Sequence, residues 1–505
     1  MSSTTVAARV SPRAGRSARR FSRRLAATVL GSLPLLLSAC GKPADVEPRV
    51  VSEYVHSLFG TIRAERLSPP VASRLTAYAS MALYGGTAAA HPALKPLHEI
   101  VAGLAPLPTA AAGTPLDPTL IAIAAERVVL DSLLREALPT TRTALSRLAD
   151  SLHANRLTQG VGAPMAMQSD SLGTAIGLAI VAFSHTDGFV ETRRMAYVPA
   201  AGDSLWLNDA PATLYATTQT SAVSEFVATD NPANQQRSAN TSDRSLILSR
   251  PKTAGDKTLP AANIAGITEP FWGTVRPFVV RDTLTCPSGS PPAYGTDSTA
   301  RLHVENANVY RITQGRTPEQ KEIAYYWADN AGETGTPVGH WLSIAAQMIS
   351  ERQLSGDDAV RLVLGTSLAQ ADAFIHAWRV KFATMTLRPR TFIRRHIDAS
   401  WEPLIPTPAF PEFPSGHSTQ SGAASAVITS LIGASAFSDS TSISIGHKVR
   451  QFPSFIAASE EAGMSRVYAG LHYMWSNEAG LRMGRCIGEH VASAVGTTAS
   501  TPAAK

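Results

Sequence analysis

Apolar residues recur at three- and four-residue spacing along most of the chain, and few stretches alternate at the two-residue period of a strand. The windows 49–64, 68–84, 90–104, 117–155 and 172–187 carry this pattern in the first half, and 317–327, 339–353, 357–387, 416–433, 455–464 and 476–495 carry it in the second. Such stripes are buried by packing helix on helix, so the expected fold class is all-α. Local signals agree. Ser68-Pro69-Pro70 reads as a helix entry, and Thr317-Pro318-Glu319-Gln320 offers a Thr cap with Pro at the first helical position. There is no repeat at solenoid period and no Gly-x-Gly-x-x-Gly after a strand, which disfavours nucleotide folds.

Charge needs correcting for the first residues before it says anything about partners. The chain of 505 residues has a formal charge of +6, but seven arginines (Arg9, Arg13, Arg16, Arg19, Arg20, Arg23 and Arg24) fall within residues 1–39, which hold no acidic residue. Without them, 38 basic residues face 39 acidic ones, so the basic balance does not point to nucleic acid. Residues 1–39 read instead as an export signal: an Arg-rich start, an apolar run from Leu25 to Leu37, then Leu37-Ser38-Ala39-Cys40-Gly41. The last stretch is similar to a bacterial lipobox, in which Cys40 becomes a lipidated N-terminus. An ordinary cleaved signal is the plainer alternative, and Ser22-Arg23-Arg24 leaves a twin-arginine route open beside the general one. The expectation is an exported protein touching the membrane only through a lipid anchor at Cys40. An apolar run of this length, interrupted by Pro34, is short for a span.

The remaining organisation is read as a linker at 40–48, a helical region over 49–262 ending in a Thr-, Ser-, Asn- and Asp-rich loop at about 217–262, a second helical region over 263–495, and a disordered tail at 496–505. Beyond Cys40 only Cys286 and Cys486 remain, which excludes a disulfide scaffold and a Cys-based zinc site. They form either one bridge or two separate thiols.

Three segments of the second region carry chemistry: Lys381 followed six residues later by Arg388-Pro389, then Pro414-Ser415-Gly416-His417, then Ser465-Arg466-Val467-Tyr468-Ala469-Gly470-Leu471-His472. Three cations, a hydroxyl, a Gly amide and two imidazoles make an inventory for binding an oxyanion. No acidic cluster beside them suggests a Ca or Mg cage. On a helix over 357–387, Trp378 and Lys381 lie three apart and Arg388 seven beyond, so the three can share a face, with Pro389 limiting the helix. Pro-Ser-Gly-His suits a helix N-terminus, where exposed amides favour an anion. Arg466 and His472 are six apart and need Gly470 to bend the chain before both reach one point.

Ten of these residues, Lys381, Arg388, Pro389, Pro414, Ser415, Gly416, His417, Ser465, Arg466 and His472, in this order and spacing, resemble the signature shared by vanadium-dependent haloperoxidases and the phosphatidic acid phosphatase type 2 superfamily. Ala371-Asp372-Ala373-Phe374, Pro406-Thr407-Pro408, Glu461-Ala462-Gly463-Met464, Asn477-Glu478-Ala479-Gly480 and Gly339-His340-Trp341 extend the likeness to exported bacterial haloperoxidase-like proteins, over most of the mature chain. The resemblance implies two four-helix bundles and a vanadate cofactor whose vanadium is bound by His472. Lys381, Arg388 and Arg466 would neutralise its oxygens, Ser415 and the Gly416 amide would add hydrogen bonds, and His417 would be the acid/base group. The implied reaction oxidises halide with hydrogen peroxide to hypohalous acid, with an organic acceptor as a further partner. Trp378 and Phe410 match positions lining an apolar halide pocket in chloroperoxidase-like members.

One position departs from the pattern. The haloperoxidases usually have Asp four residues after the ligating histidine, where a carboxylate orients the ring; here that residue is Ser476. Asp329 is a candidate carboxylate nearby, as a partner of an arginine. The phosphatase branch would put phosphate in the same pocket, with His472 as nucleophile and His417 protonating the leaving group. A surface lipoprotein keeping the pocket as a relic is the third reading.

Overall fold

The computed structural model describes residues 45–208, apart from 194, 196 and 201, and residues 267–496. The signal segment with Cys40, the polar stretch at 217–262 and the tail beyond residue 496 lie outside the described residues.

Helices dominate, as the periodicity requires. The first group comprises α1 (Pro48–Glu65), α2 (Pro69–Ala88), α3 (Pro118–Leu133), α4 (Pro139–Thr158), α5 (Ala163–Ser184) and the single turn α6 (Phe189–Thr192). The second comprises α7 (Arg301–Gln314), α8 (Pro318–Tyr326), α9 (Thr336–Glu351), α10 (Gly356–Thr384), α11 (Pro389–His396), α12 (Gly416–Ile432), α13 (Phe455–Tyr468) and α14 (Met474–Val495). A two-stranded antiparallel ribbon, β1 (Phe437–Asp439) against β2 (Arg450–Phe452), joins α12 to α13, with Phe437 opposite Phe452. Proline opens many of these helices, where its missing N–H costs nothing. At α8 Thr317 and Gln320 close a reciprocal capping box.

Several sequence expectations need correction. The window 90–104 holds only a short 3-10 turn at Leu97–Glu99, since Pro92 and Pro96 each remove a backbone donor. The window 117–155 is two helices, broken before Pro139. Helix α7 was not foreseen: its buried residues Leu302, Asn306, Val309 and Thr313 are half polar, so the apolar stripe is too thin to read. The expected helix over 357–387 ends at Thr384, because Met385 takes a left-handed conformation, and Pro389 starts α11 rather than only stopping its predecessor. Arg388 is therefore the N-cap of α11 and does not share a helix face with Trp378 and Lys381.

The long helix α10 joins the two groups. It packs on α2 from the first and on α12 and α14 from the second, and one apolar core runs through all of them. The most extensive helix pairing among the described residues is between α12 and α14. Gly480, Gly484 and Gly488 lie on one stripe of α14, and a side chain at Gly480 would come within 2.8 Å of the Ser415 carbonyl. Glycine inside a helix costs roughly 0.5–1 kcal/mol relative to Ala. Here it lets α14 approach the start of α12, which carries Ser415, Gly416 and His417.

A strap crosses α10 on the way from Phe278 to Cys286. The Asp372 carboxylate accepts from the backbone N–H of Phe278, Val279 and Val280 at 2.7, 2.9 and 2.8 Å. Burial pushes Asp372 up to about 6 although those three amides favour its charge. The strap ends in a disulfide between Cys286 and Cys486, with 5.6 Å between the Cα atoms, so the bridged alternative holds. A crosslink spanning 200 residues removes a large loop from the unfolded ensemble, which in the chain-entropy account stabilises by about 5 kcal/mol.

Candidate active site

Four backbone features bring the three motif segments together. Lys381 projects from the last turn of α10, and Arg388 enters from the cap of α11. Ser415 caps α12, its side chain accepting from the Ser418 amide; such a cap contributes about 1 kcal/mol and sets the Gly416 amide at the helix N-terminus. Arg466 lies in the last turn of α13, after which Gly470 turns the chain at φ 82° and returns His472 toward the arginine. That bend is what the sequence spacing demanded.

The cations are buried and aimed by carbonyls. Lys381 Nζ donates to the carbonyls of Pro411 and Glu412 at 3.0 and 2.8 Å. Arg388 donates through Nε to the Phe410 carbonyl (3.1 Å) and through Nη1 to the Leu471 carbonyl (3.0 Å), and the same Nη1 lies 3.1 Å from His472 Nε2. Arg466 Nη1 donates to the Trp327 carbonyl at 3.2 Å. Burial, reinforced by Arg388, holds the Lys381 ammonium well below its ordinary range, with Glu412 opposing. Burial and Arg388 bring Arg466 down to about 9 against the pull of Asp329. Cations that depress one another in a dry site are relieved by an anion.

Both motif histidines are kept neutral. Burial lowers His472 first, followed by Arg388, Lys381 and Arg466; burial and then Arg466 do the same to His417. His417 is bonded to the backbone at Ala328, while its Nε2 is shielded and has no hydrogen-bond partner among the described residues. Arg466 Nε is likewise buried without a partner among the described residues. A side chain at Gly416 would sit 3.4 Å from the Trp378 ring and 3.8 Å from the Lys381 stem, so only glycine keeps that side of the cradle open. Donors on several sides, with Arg466 Nε unsatisfied among the described residues, and two neutral imidazoles fit a tetrahedral oxyanion such as vanadate or phosphate. They do not suit a hard cation.

Trp378 and Phe410 pack at 4.8 Å between ring centroids. Lys381 Nζ lies 5.1 Å and Arg388 Cζ 4.9 Å from the centre of Phe410, so an apolar wall adjoins the cations. Although α10 ends before Arg388, Trp378, Lys381 and Arg388 still converge, through the loop that follows Met385.

Two residues behave differently from expectation. Asp329 bonds to His340 rather than to an arginine, at 3.1 and 3.0 Å, and acts on Arg466 through space. Ser476 lies beside Glu412, whose carboxyl burial pushes up to about 7 against the opposing pull of Lys381, Arg388 and Ser476, so it does not face His472 alone. The carboxylate at His472 is Glu412, whose Oε1 is 2.7 Å from Nδ1. Sequence reasoning missed it. Its signal was an acidic residue in the otherwise apolar run Phe410-Pro411-Glu412-Phe413-Pro414, next to the Ser-Gly turn. Asn477 was also missed as a brace: its amide donates to the Gly463 carbonyl and its oxygen meets the Ser418 hydroxyl at 3.1 Å, tying α14 to α13 and α12.

A helical protein with a buried oxyanion cradle built by two histidines is the class that this fold and site define. Residues 361–500 match the family model of the VCPO second helical-bundle domain. Among solved structures, the chain is similar to the first bacterial vanadium-dependent iodoperoxidase, at 27% identity and TM-score 0.73, covering 90% of this chain and 97% of that one. It also shares the fold of a bacterial vanadium-dependent chloroperoxidase in its holo form (14% identity, TM-score 0.61, 90% of this chain and 98% of that one) and its apo form (13%, 0.57, 84% and 93%). No curated protein matches the sequence. Both comparisons support the vanadium haloperoxidase family as the one this chain resembles.

Proposed function

We propose that the protein is a vanadate-dependent haloperoxidase that oxidises halide with hydrogen peroxide to hypohalous acid. The observation that carries this reading is the meeting of Lys381, Arg388 and Arg466 around the lone-pair nitrogen of His472, with the Trp378–Phe410 wall alongside. Vanadate bound there would supply a Lewis-acidic centre that makes a peroxide oxygen electrophilic without changing its own oxidation state.

The chain's own groups do the rest. Lys381, Arg388 and Arg466 would hold the oxyanion charge, with Ser415 and the Gly416 amide as neutral donors and His472 Nε2 as the ligand. His417 Nε2, shielded and without a partner among the described residues, would accept the proton released when hydrogen peroxide enters. Trp378 and Phe410 would strip water from the halide beside two cations. In sum, peroxide, halide and a proton give hypohalous acid and water, and an organic acceptor is halogenated by the product. We read Cys40 as a lipid anchor placing this chemistry outside the cytoplasm.

Iodide is the halide to try first, because the similar structure at 27% identity is described as an iodoperoxidase. Purified protein loaded with orthovanadate should halogenate a phenol-type indicator only when both peroxide and halide are present. Cleavage of p-nitrophenyl phosphate with vanadate acting merely as inhibitor would replace this reading by the phosphatase one. Neither activity would leave the relic pocket. Within the site, His472→Ala should abolish vanadate binding, whereas His417→Ala should keep binding and lose turnover; equal loss of binding in both contradicts these roles.

A further inference from the structure

A histidine ligates through whichever ring nitrogen lacks a proton, so something must choose the tautomer. At His472 two contacts choose it independently. Glu412 Oε1 accepts the Tyr473 backbone N–H at 3.3 Å, a group that can only donate, and the same oxygen lies 2.7 Å from Nδ1. As a carboxylate that oxygen can only accept, so Nδ1 is the donor. On the other side of the ring, Arg388 Nη1 lies 3.1 Å from Nε2, and a guanidinium has no lone pair to offer. Nε2 is therefore the acceptor, and its lone pair points into the cation cluster.

Glu412 is itself held at every polar group of its backbone. Its N–H donates to the Thr386 carbonyl at 3.0 Å, its own carbonyl receives Lys381 Nζ at 2.8 Å, and the residue is fully buried. The backbone that carries the carboxylate cannot shift without breaking the bond that aims Lys381. Ser476, where the family pattern has its acid, stands beside this carboxylate.

The geometry points to Glu412 as the positioning residue of His472, delivering from ahead of the Pro-Ser-Gly-His segment the carboxylate that the family pattern delivers from behind the histidine. It presents Nε2 as the ligating atom and raises its basicity. This rests on reading the pocket as a vanadate site. It separates two kinds of anion. Vanadate gains from a stronger Nε2 donor, whereas phosphate held only by the cations gains nothing from a carboxylate behind the ring.

The test is Glu412→Gln in the full chain, with orthovanadate and orthophosphate affinities measured by titration calorimetry and bound vanadate followed by vanadium-51 NMR. Vanadate affinity should fall by about 10–100-fold. Phosphate affinity should stay or rise, and Glu412→Asp should recover part of the vanadate loss. Equal weakening of both anions would mean a merely structural role, and undiminished vanadate affinity would sink the inference. Nitrogen-15 NMR of the unsubstituted protein needs no variant: His472 should carry its proton on Nδ1, and a proton on Nε2 overturns the assignment. Unsubstituted protein that binds no vanadate would overturn the proposed function and this inference with it, whereas normal binding with Glu412→Gln unaffected overturns the inference alone.

Discussion

The imidazole of His340 and the carboxylate of Asp329 meet at 3.0 Å with essentially no access to solvent, and Asp439 closes the other side of the ring at 2.8 Å. Trp327 stacks on the ring at 4.5 Å, and Tyr326, itself bonded to the Asp439 carbonyl, lies edge-on at 5.6 Å with Arg450 beyond it. The triad pins the segment Trp327-Ala328-Asp329, where Asp329 has a positive φ of 47°. Its carbonyls at Trp327 and Ala328 hold Arg466 and His417.

The triad should give the protein a pH-dependent stability. Burial alone would lower His340, but Asp329 and Asp439 outweigh it and raise the ring from 6.5 to about 10. A raised pKa means stability fully present below about pH 6.5 and lost as pH climbs through about 10. Asp439 works in the opposite sense. Burial raises it but His340 prevails and depresses it from 3.8, so its share is lost in acid. His340→Gln leaves two buried carboxylates unmatched and should cost about 3–5 kcal/mol near neutral pH. The gap to the unsubstituted protein should narrow as pH rises toward 10, and parallel stability curves would refute this account.

Helix identity was legible because it depends on neighbours three and four residues away, and the same locality made the Thr317 cap, the helix start at Pro-Ser-Gly-His and the Gly470 bend readable. The cation set was readable from residue type. What escaped depends on distance in sequence or on strain without a signature. Glu412 meets His472 across 60 residues, and an acid in an apolar run marks Glu412 as unusual without naming its partner. The end of α10 rests on Met385 at φ 48°, a conformation normally given to Gly or Asn, so periodicity ran past it. Asp329 looked like a partner for an arginine because its bond to His340 joins two segments 11 residues apart around a turn.

The glycine stripe of α14 makes a paired test of packing. At Gly484 an added methyl would overlap the Thr419 carbonyl and lie 2.9 Å from the Ala423 amide nitrogen, both backbone atoms that cannot rotate away. Gly484→Ala should destabilise by about 1–3 kcal/mol or more. Gly60 sits on the exposed side of α1 with nothing within 4 Å of the same methyl. There Ala should stabilise by about 0.4–1 kcal/mol. The thermal midpoints should move in opposite directions, and a common direction would mean that the α12–α14 contact is looser than its geometry.

The anion site should report itself in stability before any turnover is measured. Three buried cations repel one another, and Lys381 is held down by burial and then by Arg388. An oxyanion that binds only the folded state adds RT ln(1 + [L]/Kd), about 2.7 kcal/mol at a hundredfold excess over Kd. Orthophosphate or orthovanadate should therefore raise the unfolding midpoint of the metal-free protein, and sulfate-free buffer is needed to see the full effect. Lys381→Met removes one of the three charges while leaving Arg388 anchored on the carbonyls of Phe410 and Leu471. It should erase most of the anion-induced rise, because the remaining arginines lose the partner that closes the cradle on the Gly416 side. A variant that keeps the whole shift would place the anion away from Lys381, and the cation cluster would then need another explanation.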